Sequence, residues 1–288
     1  MISKPFFMFK QVTIMGPGLL GASLVLAVKK KLLAEKIVVW ARSENTAKNA
    51  LEKLPVDQVE RNPSVSVRGS QLVVLCTPVE TITSILNSII DDVDESCIVT
   101  DVGSVKSEIC KNAQNLFKKS KSSFIGSHPM AGSEKAGMDH ANENLFSSRT
   151  CIITPDDKAD SEQLKKLTLF WEYLGMKSIL MNPQEHDAKL SQLSHLPHLV
   201  SSVLAHSLHD KIDEAPMLCG QGLRDTVRIA GGSPELWAGI IEQNKINILE
   251  SVEKFEESFQ TVRNLISQND FNGLQEFLKQ GSVFKKIK

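Results

Sequence analysis

The chain has 288 residues, with 33 Lys and Arg against 34 Asp and Glu and a formal net charge of -1. No long basic stretch is present to meet a nucleic-acid backbone, and no run of about 18 apolar residues is present to span a membrane. The five cysteines (Cys76, Cys97, Cys110, Cys151 and Cys219) are scattered and form no CxxC pair. That argues against a disulfide framework or a zinc site and for a reducing compartment. The N-terminal residues run almost at once into a strand pattern, leaving no room for a secretory or transit segment. The expectation is a cytosolic protein.

Apolar, β-rich runs predict strands at Val12–Met15, Ile37–Trp40, Leu72–Cys76, Cys97–Val102, Phe124–Gly126, Cys151–Ile153 and Lys177–Met181. Helical patterns lie between most of them, at Leu19–Lys31, Val79–Ile90, Val105–Lys119 and Ser161–Leu174. Such alternation means βαβ units, so the fold class is α/β, a Rossmann-type doubly wound sheet over residues 1–182. After Asn182-Pro183 only helical periodicity remains, which makes residues 183–288 an all-α domain. There Leu196, Leu199, Val200, Val203, Leu204 and Leu208 recur at helical spacing and read as one buried stripe. Helical domains of this kind bury such stripes against a second copy, so a homodimer through the C-terminal helices is expected.

Gly16-Pro17-Gly18-Leu19-Leu20-Gly21 follows a strand and opens a helix, matching G-x-G-x-x-G. Gly16 suits the tight turn, Gly18 the close approach of a pyrophosphate and Gly21 close packing of helix on strand. The N–H groups at Leu19 and Leu20 then face the phosphates. In a site for NAD, an acidic residue at the end of the second strand bonds the ribose 2′-OH. This strand ends in Arg42-Ser43, a guanidinium and a hydroxyl suited to a 2′-phosphate. The cofactor expected is therefore NADP or NAD, with NADP favoured. Glu44 is the competing contact to the ribose. Thr77, closing the third strand, either faces the cofactor or caps the helix that starts near Val79.

The fourth strand gives way to Ser104, placed as an N-cap or as a hydroxyl at the nicotinamide end. The fifth ends in Gly126-Ser127-His128-Pro129, which puts His128 at a strand's carboxyl end in a glycine-rich loop above the dinucleotide site. Loops on a rigid sheet carry catalytic residues disproportionately. At the start of the helical domain stand His186-Asp187 and Ser194-His195-Leu196-Pro197-His198. Pro197 frees the carbonyl of Leu193, and the expected kink turns His195 and His198 toward the domain cleft. The three histidines lack the spacing of a metal site, and no metal is expected. Arg224 and Arg228 stand one helical turn apart and can meet a carboxylate.

Together GPGLLG, TPVE, DVGSVK, GSHPMAGSEKAG, HDAKLSQLSHLPH and LRDTVRIAGGSPELW resemble the prephenate/arogenate dehydrogenase family, in its order and over most of the chain. The resemblance implies oxidative decarboxylation of prephenate to 4-hydroxyphenylpyruvate, with hydride transfer to NAD(P)+, in tyrosine biosynthesis. It also implies a helical dimerisation domain and an active site in the cleft between the domains. His128 would be the catalytic histidine with Ser104 beside it, and His198 and Arg228 would bind substrate, with His195 and Trp237 near them. The chain departs from NAD-using members at Arg42. The second histidine of SHLPH resembles the prephenate-using branch more than arogenate-using plant enzymes. Alternatives are an arogenate (cyclohexadienyl) dehydrogenase, a β-hydroxyacid or imine-type reductase, which would place a lysine in the helical domain, and a cofactor-binding regulator without turnover.

Overall fold

The computed structural model describes residues 7–286 except 119, 121, 133–134, 157–158 and 212–214. The expected helix end at Lys119 and the Ser133-Glu134 part of one motif lie outside the described residues. Six parallel strands form the main sheet: β1 (Phe9–Met15), β2 (Ala34–Trp40), β3 (Gln58–Glu60), β4 (Leu72–Leu75), β5 (Ile98–Asp101) and β6 (Ser123–Phe124). Their order, β3-β2-β1-β4-β5-β6, reverses between β1 and β4. It is the doubly wound Rossmann order, and ligands bind in its crevice at the strands' carboxyl ends. The short polar strand β3 was not legible from sequence, because Gln58-Val59-Glu60 carries almost no β signal.

Helices α1 (Leu19–Lys30), α2 (Glu44–Lys53), α3 (Pro63–Val67), α4 (Val79–Ile89) and α5 (Ser107–Phe117) connect these strands. Two apolar layers result, one on each face of the sheet. Leu24, Val28, Phe170 and Trp171 belong to one, and Ile82, Leu86, Ile109 and Phe117 to the other.

The expected fifth strand divides. After β6 the backbone of Ile125 still bonds Val99 on β5. The chain then enters β7 (Gly126–Pro129), which pairs antiparallel with β8 (Thr150–Thr154). Helix α6 (Ser161–Tyr173) follows, and β9 (Lys177–Leu180) pairs parallel with β8. His128 therefore sits within a paired strand, not in a loop, opposite Ile152 of β8.

Beyond β9 the described residues are helical. Helix α7 (Pro183–Leu190) passes through a π-helical turn, Ser191–His195, into α8 (Leu196–Ser207). The kink expected from Pro197 takes this form, and Pro197 itself falls in the first turn of α8, where its missing N–H costs little. Helices α9 (Ala215–Leu218) and α10 (Gln221–Val227), a 3₁₀ turn (Arg228–Gly231), α11 (Pro234–Gln243), α12 (Lys245–Ser267) and α13 (Phe271–Ser282) complete the chain. No described helix is long and apolar enough to cross a membrane.

The apolar stripe of α8 is not buried within the chain. Val203 is 66% exposed, and the inward face carries His198 and Ser201 instead. Ile246, Phe259, Phe271 and Leu278 are exposed as well. So large an apolar surface is the mark of a face covered by another chain.

Candidate active site at the domain cleft

The functional residues expected in the first domain gather at the carboxyl edge of the parallel sheet. Gly16 adopts φ 99°, a conformation that favours glycine. A Cβ at Gly21 would lie 2.1 Å from the Gly16 carbonyl oxygen, so α1 can approach the turn only with glycine there. Gly18 faces open space and caps α1 without a side-chain hydrogen bond. The helix N-terminus is thus presented to a cavity of about 840 Å³ lined by Gly16, Gly18, Arg42, Ser43, Lys53 and Thr77. These residues fit a dinucleotide: a glycine cradle, free helical N–H groups, and a cation at the end of β2. Leu19 and Leu20 do not line the cavity with their side chains, and Leu20 packs against the core.

Arg42 is exposed on the cavity wall. The Ser43 hydroxyl caps α2 by accepting from the Thr46 amide at 3.1 Å. Glu44 is turned toward Arg61, 3.8 Å away, and does not line the cavity. The Thr77 hydroxyl caps no helix. It accepts from Thr81 at 3.0 Å, and Pro78 occupies the cap of α4.

Ser104 is not an N-cap either, because α5 begins three residues later. Its cap is supplied from the second domain. Asp187 on α7 accepts the backbone N–H groups of Lys106 and Ser107, each at 2.8 Å. The same carboxylate meets His186 Nδ1 at 2.7 Å, and His186 Nε2 meets His128 Nδ1 at 2.9 Å. Sequence reasoning left His186 and Asp187 out of the site. The available signal was their place at the head of the HDAKLSQLSHLPH segment.

Below these histidines Asp101 is fully buried and ion-paired to Lys106. It also accepts the amides of Gly103 at 2.9 Å and Ser127 at 3.1 Å. One carboxylate thereby fixes the backbone leading to Ser104 and the backbone next to His128. The Ser127 hydroxyl is held in turn by Thr100 at 2.8 Å and by the Trp171 N–H at 3.1 Å.

The helical domain supplies the opposite wall. Helix α11 packs on α4, where Gly239 leaves room for the Glu80 carboxylate. Trp237 stacks on His198, with ring centroids 3.6 Å apart and planes 9° from parallel, and meets the edge of His195 at 6.1 Å. A Cβ at Gly232 would strike the Trp237 indole at 2.6 Å, so the stacked pair needs glycine beside it. His195 accepts at Nδ1 from Asn244 at 3.2 Å. Its Nε2 is buried without a hydrogen bond, and the Ser104 backbone lies beside the ring. No hydrogen bond joins the Ser104 hydroxyl to His128 among the described residues. Arg224 lies on α10, and Arg228 opens the 3₁₀ turn packed against α8; both side chains are exposed.

Burial holds the His128 imidazole well below its usual value, and His186, Lys106 and His195 add to the shift. Burial likewise lowers His186, against the opposing pull of Asp187, and brings His195 down to about 4. All three shifts favour the neutral ring. A proton acceptor, an aromatic stack and a dinucleotide cradle are the parts needed to oxidise an alcohol.

Comparison with known proteins agrees with this arrangement. Residues 24–180 match the prephenate dehydrogenase nucleotide-binding domain, and residues 182–280 match the prephenate dehydrogenase dimerization domain. Prephenate dehydrogenase of Bacillus subtilis is 30% identical over 95% of this chain and 75% of that protein. A crystal structure of prephenate dehydrogenase from A. aeolicus with hydroxyphenyl propionate and NAD+ superposes with a TM-score of 0.88, at 28% identity and 98% coverage of both chains. Arogenate dehydrogenase of Synechocystis gives 0.81, at 32% identity over 96% of this chain and 98% of that one. The chain belongs to the prephenate dehydrogenase family of NAD(P)-dependent oxidoreductases.

Proposed function

We propose that the protein oxidises prephenate to 4-hydroxyphenylpyruvate and CO2 with NADP+ as acceptor, as a cytosolic homodimer joined through its helical domain. The observation that carries this reading is the buried imidazole of His128 on β7, next to Ser127, whose amide is held by Asp101 at the end of β5, and bonded across the domain boundary to His186. The domains are taken as residues 1–182 and 183–288.

The bound nicotinamide supplies the hydride acceptor for C4 of the substrate. His128 takes the C4 hydroxyl proton as the carbonyl character develops, a task suited to a neutral histidine. Loss of the ring carboxylate as CO2 makes the ring aromatic and drives the step. Arg228 is assigned to a substrate carboxylate, and its exposure fits a residue at the cleft's rim. Ser104 and His195 stand together below the substrate, and the stacked His198–Trp237 pair forms its side wall. Burial lowers His198 and favours its neutral form. The second histidine of SHLPH, His198, is the feature that favours prephenate. Absorbance of reduced nicotinamide, followed with each substrate at equal concentration, is expected to rise with prephenate and to rise more slowly with arogenate. The reverse order would make the enzyme an arogenate dehydrogenase.

Preference for NADP rests on Arg42 facing the cavity while Glu44 is turned to Arg61. Arg42→Asp is expected to weaken NADPH binding about 10–100-fold, the equivalent of charged hydrogen bonds at ~1.5–3 kcal/mol, and to spare NADH. Fluorescence titration of the reduced cofactors reads this without turnover. Equal losses for both cofactors would remove the 2′-phosphate role.

A further inference from the structure

The acceptor that His128 presents to substrate depends on which of its ring nitrogens carries the proton. An unassisted neutral imidazole in water favours the proton on Nε2, which would leave no lone pair there. The hydrogen-bond chain behind the ring decides otherwise. It starts at Asp187, whose two oxygens accept the Lys106 and Ser107 amides at 2.8 Å. Backbone N–H groups can only donate, so the carboxyl is held ionised. Burial alone would raise it, but the donations from His186, Ser107 and Lys106 outweigh burial and bring it below the usual carboxylate range. An ionised Asp187 can only accept from His186 Nδ1, 2.7 Å away. Burial lowers the His186 ring below its usual value and favours a single proton, which then lies on Nδ1 and leaves Nε2 bare. A bare Nε2 at 2.9 Å from His128 Nδ1 can only accept from it. The one proton of neutral His128 is therefore on Nδ1.

We propose that His186 and Asp187 are positioning residues that lock His128 in the Nδ1–H tautomer, leaving its Nε2 lone pair free for the substrate hydroxyl. This rests on His128 being the proton acceptor of the reaction. The chain crosses the domain boundary, from β7 of the sheet domain to α7 of the helical domain. The base is thus competent only where the two domains are docked. After proton uptake at Nε2, the imidazolium keeps its Nδ1–H bond to His186, and the Asp187 carboxylate lies behind that ring to offset the charge. Among the described residues, the other charged or titratable groups around the pair include the Asp101–Lys106 ion pair, which is neutral in sum, His195, and the Cys151 thiol, which meets the His128 backbone and which burial pushes up. None of these bonds a ring nitrogen of His128 or His186.

Long-range proton–nitrogen NMR correlation reads the tautomer of each histidine directly, and the signals are assigned by their loss in His128→Asn and His186→Leu. In the wild-type protein without substrate, His128 is expected with a protonated Nδ1 and a bare Nε2. A protonated Nε2 overturns the proposal, with no variant needed to fold. His186→Leu removes the acceptor, so a folded variant is expected to show His128 reverting toward Nε2–H. Its kcat is expected to fall by about 10²–10⁴-fold, the range of general-base assistance, with KM and the dissociation constant of NADPH holding. A kcat near wild type, or an unchanged tautomer, also overturns it. The wild-type spectrum involves no turnover. An Nδ1–H tautomer in an enzyme inactive on prephenate therefore sinks the substrate assignment and not the tautomer.

Discussion

Replacing His128 by Asn is expected to lower kcat by about 10²–10⁴-fold, the usual worth of a positioned proton acceptor, while NADPH binds as before. The substitution separates chemistry from structure. An Asn amide can still hydrogen-bond to His186 and fill much of the ring's volume, but it has no basic nitrogen. The cofactor cradle is built from Gly16, Gly18, Gly21 and the end of β2, none of which touches His128. Loss of turnover with intact NADPH titration is therefore the expected pair of results. Turnover within a few-fold of wild type would remove His128 from the reaction. The pH profile carries the same assignment. Because burial holds the imidazole well below its usual value, the acid limb of kcat/KM is expected below pH 6.5.

Lys106→Met is expected to destabilise the fold strongly. Lys106 and Asp101 are each 0% exposed and pair with one another, so removing the ammonium leaves a carboxylate with no counter-ion in the interior. Breaking a buried pair in this way typically costs about 3–5 kcal/mol. A fall in the urea midpoint at unchanged slope measures it. Asp101 also holds the Ser127 and Gly103 amides, so activity is expected to fall with stability. Combining Lys106→Met with Asp101→Asn removes both charges and leaves an oxygen for the Ser127 amide. The double variant is expected to recover only part of the lost stability, because the Asn NH2 opposes the Gly103 amide. A single variant as stable as wild type would mean that the pair contributes nothing net to the fold.

Much of this was legible in the chain because it depends on neighbours in sequence. The turn at Gly16 and the close approach at Gly21 are local demands on the backbone, and they show as glycine spacing. Arg42, Thr77 and Ser104 follow strands directly, so locating the strands located these residues at the sheet's carboxyl edge. Local reading failed where partners come from far along the chain. Ser104 and Thr77 look like helix caps, yet α5 is capped by Asp187 from some eighty residues away, at the Ser107 amide. The stripe on α8 looks like core and is half exposed, because periodicity shows that a face will be buried but not what buries it.

By itself, then, the sequence determined the doubly wound domain, the cradle for a dinucleotide, the helical second domain and the family. Each of these is written in periodicity, glycine placement or motif order, which act over a few residues. Only the tertiary structure decided that β7 leaves the main sheet, that Asp101 and Lys106 share a buried site, and that His186 backs His128. Hydrogen-bond partners and desolvation are set by distance in space, and two histidines 58 positions apart carry no local pattern that predicts their 2.9 Å contact.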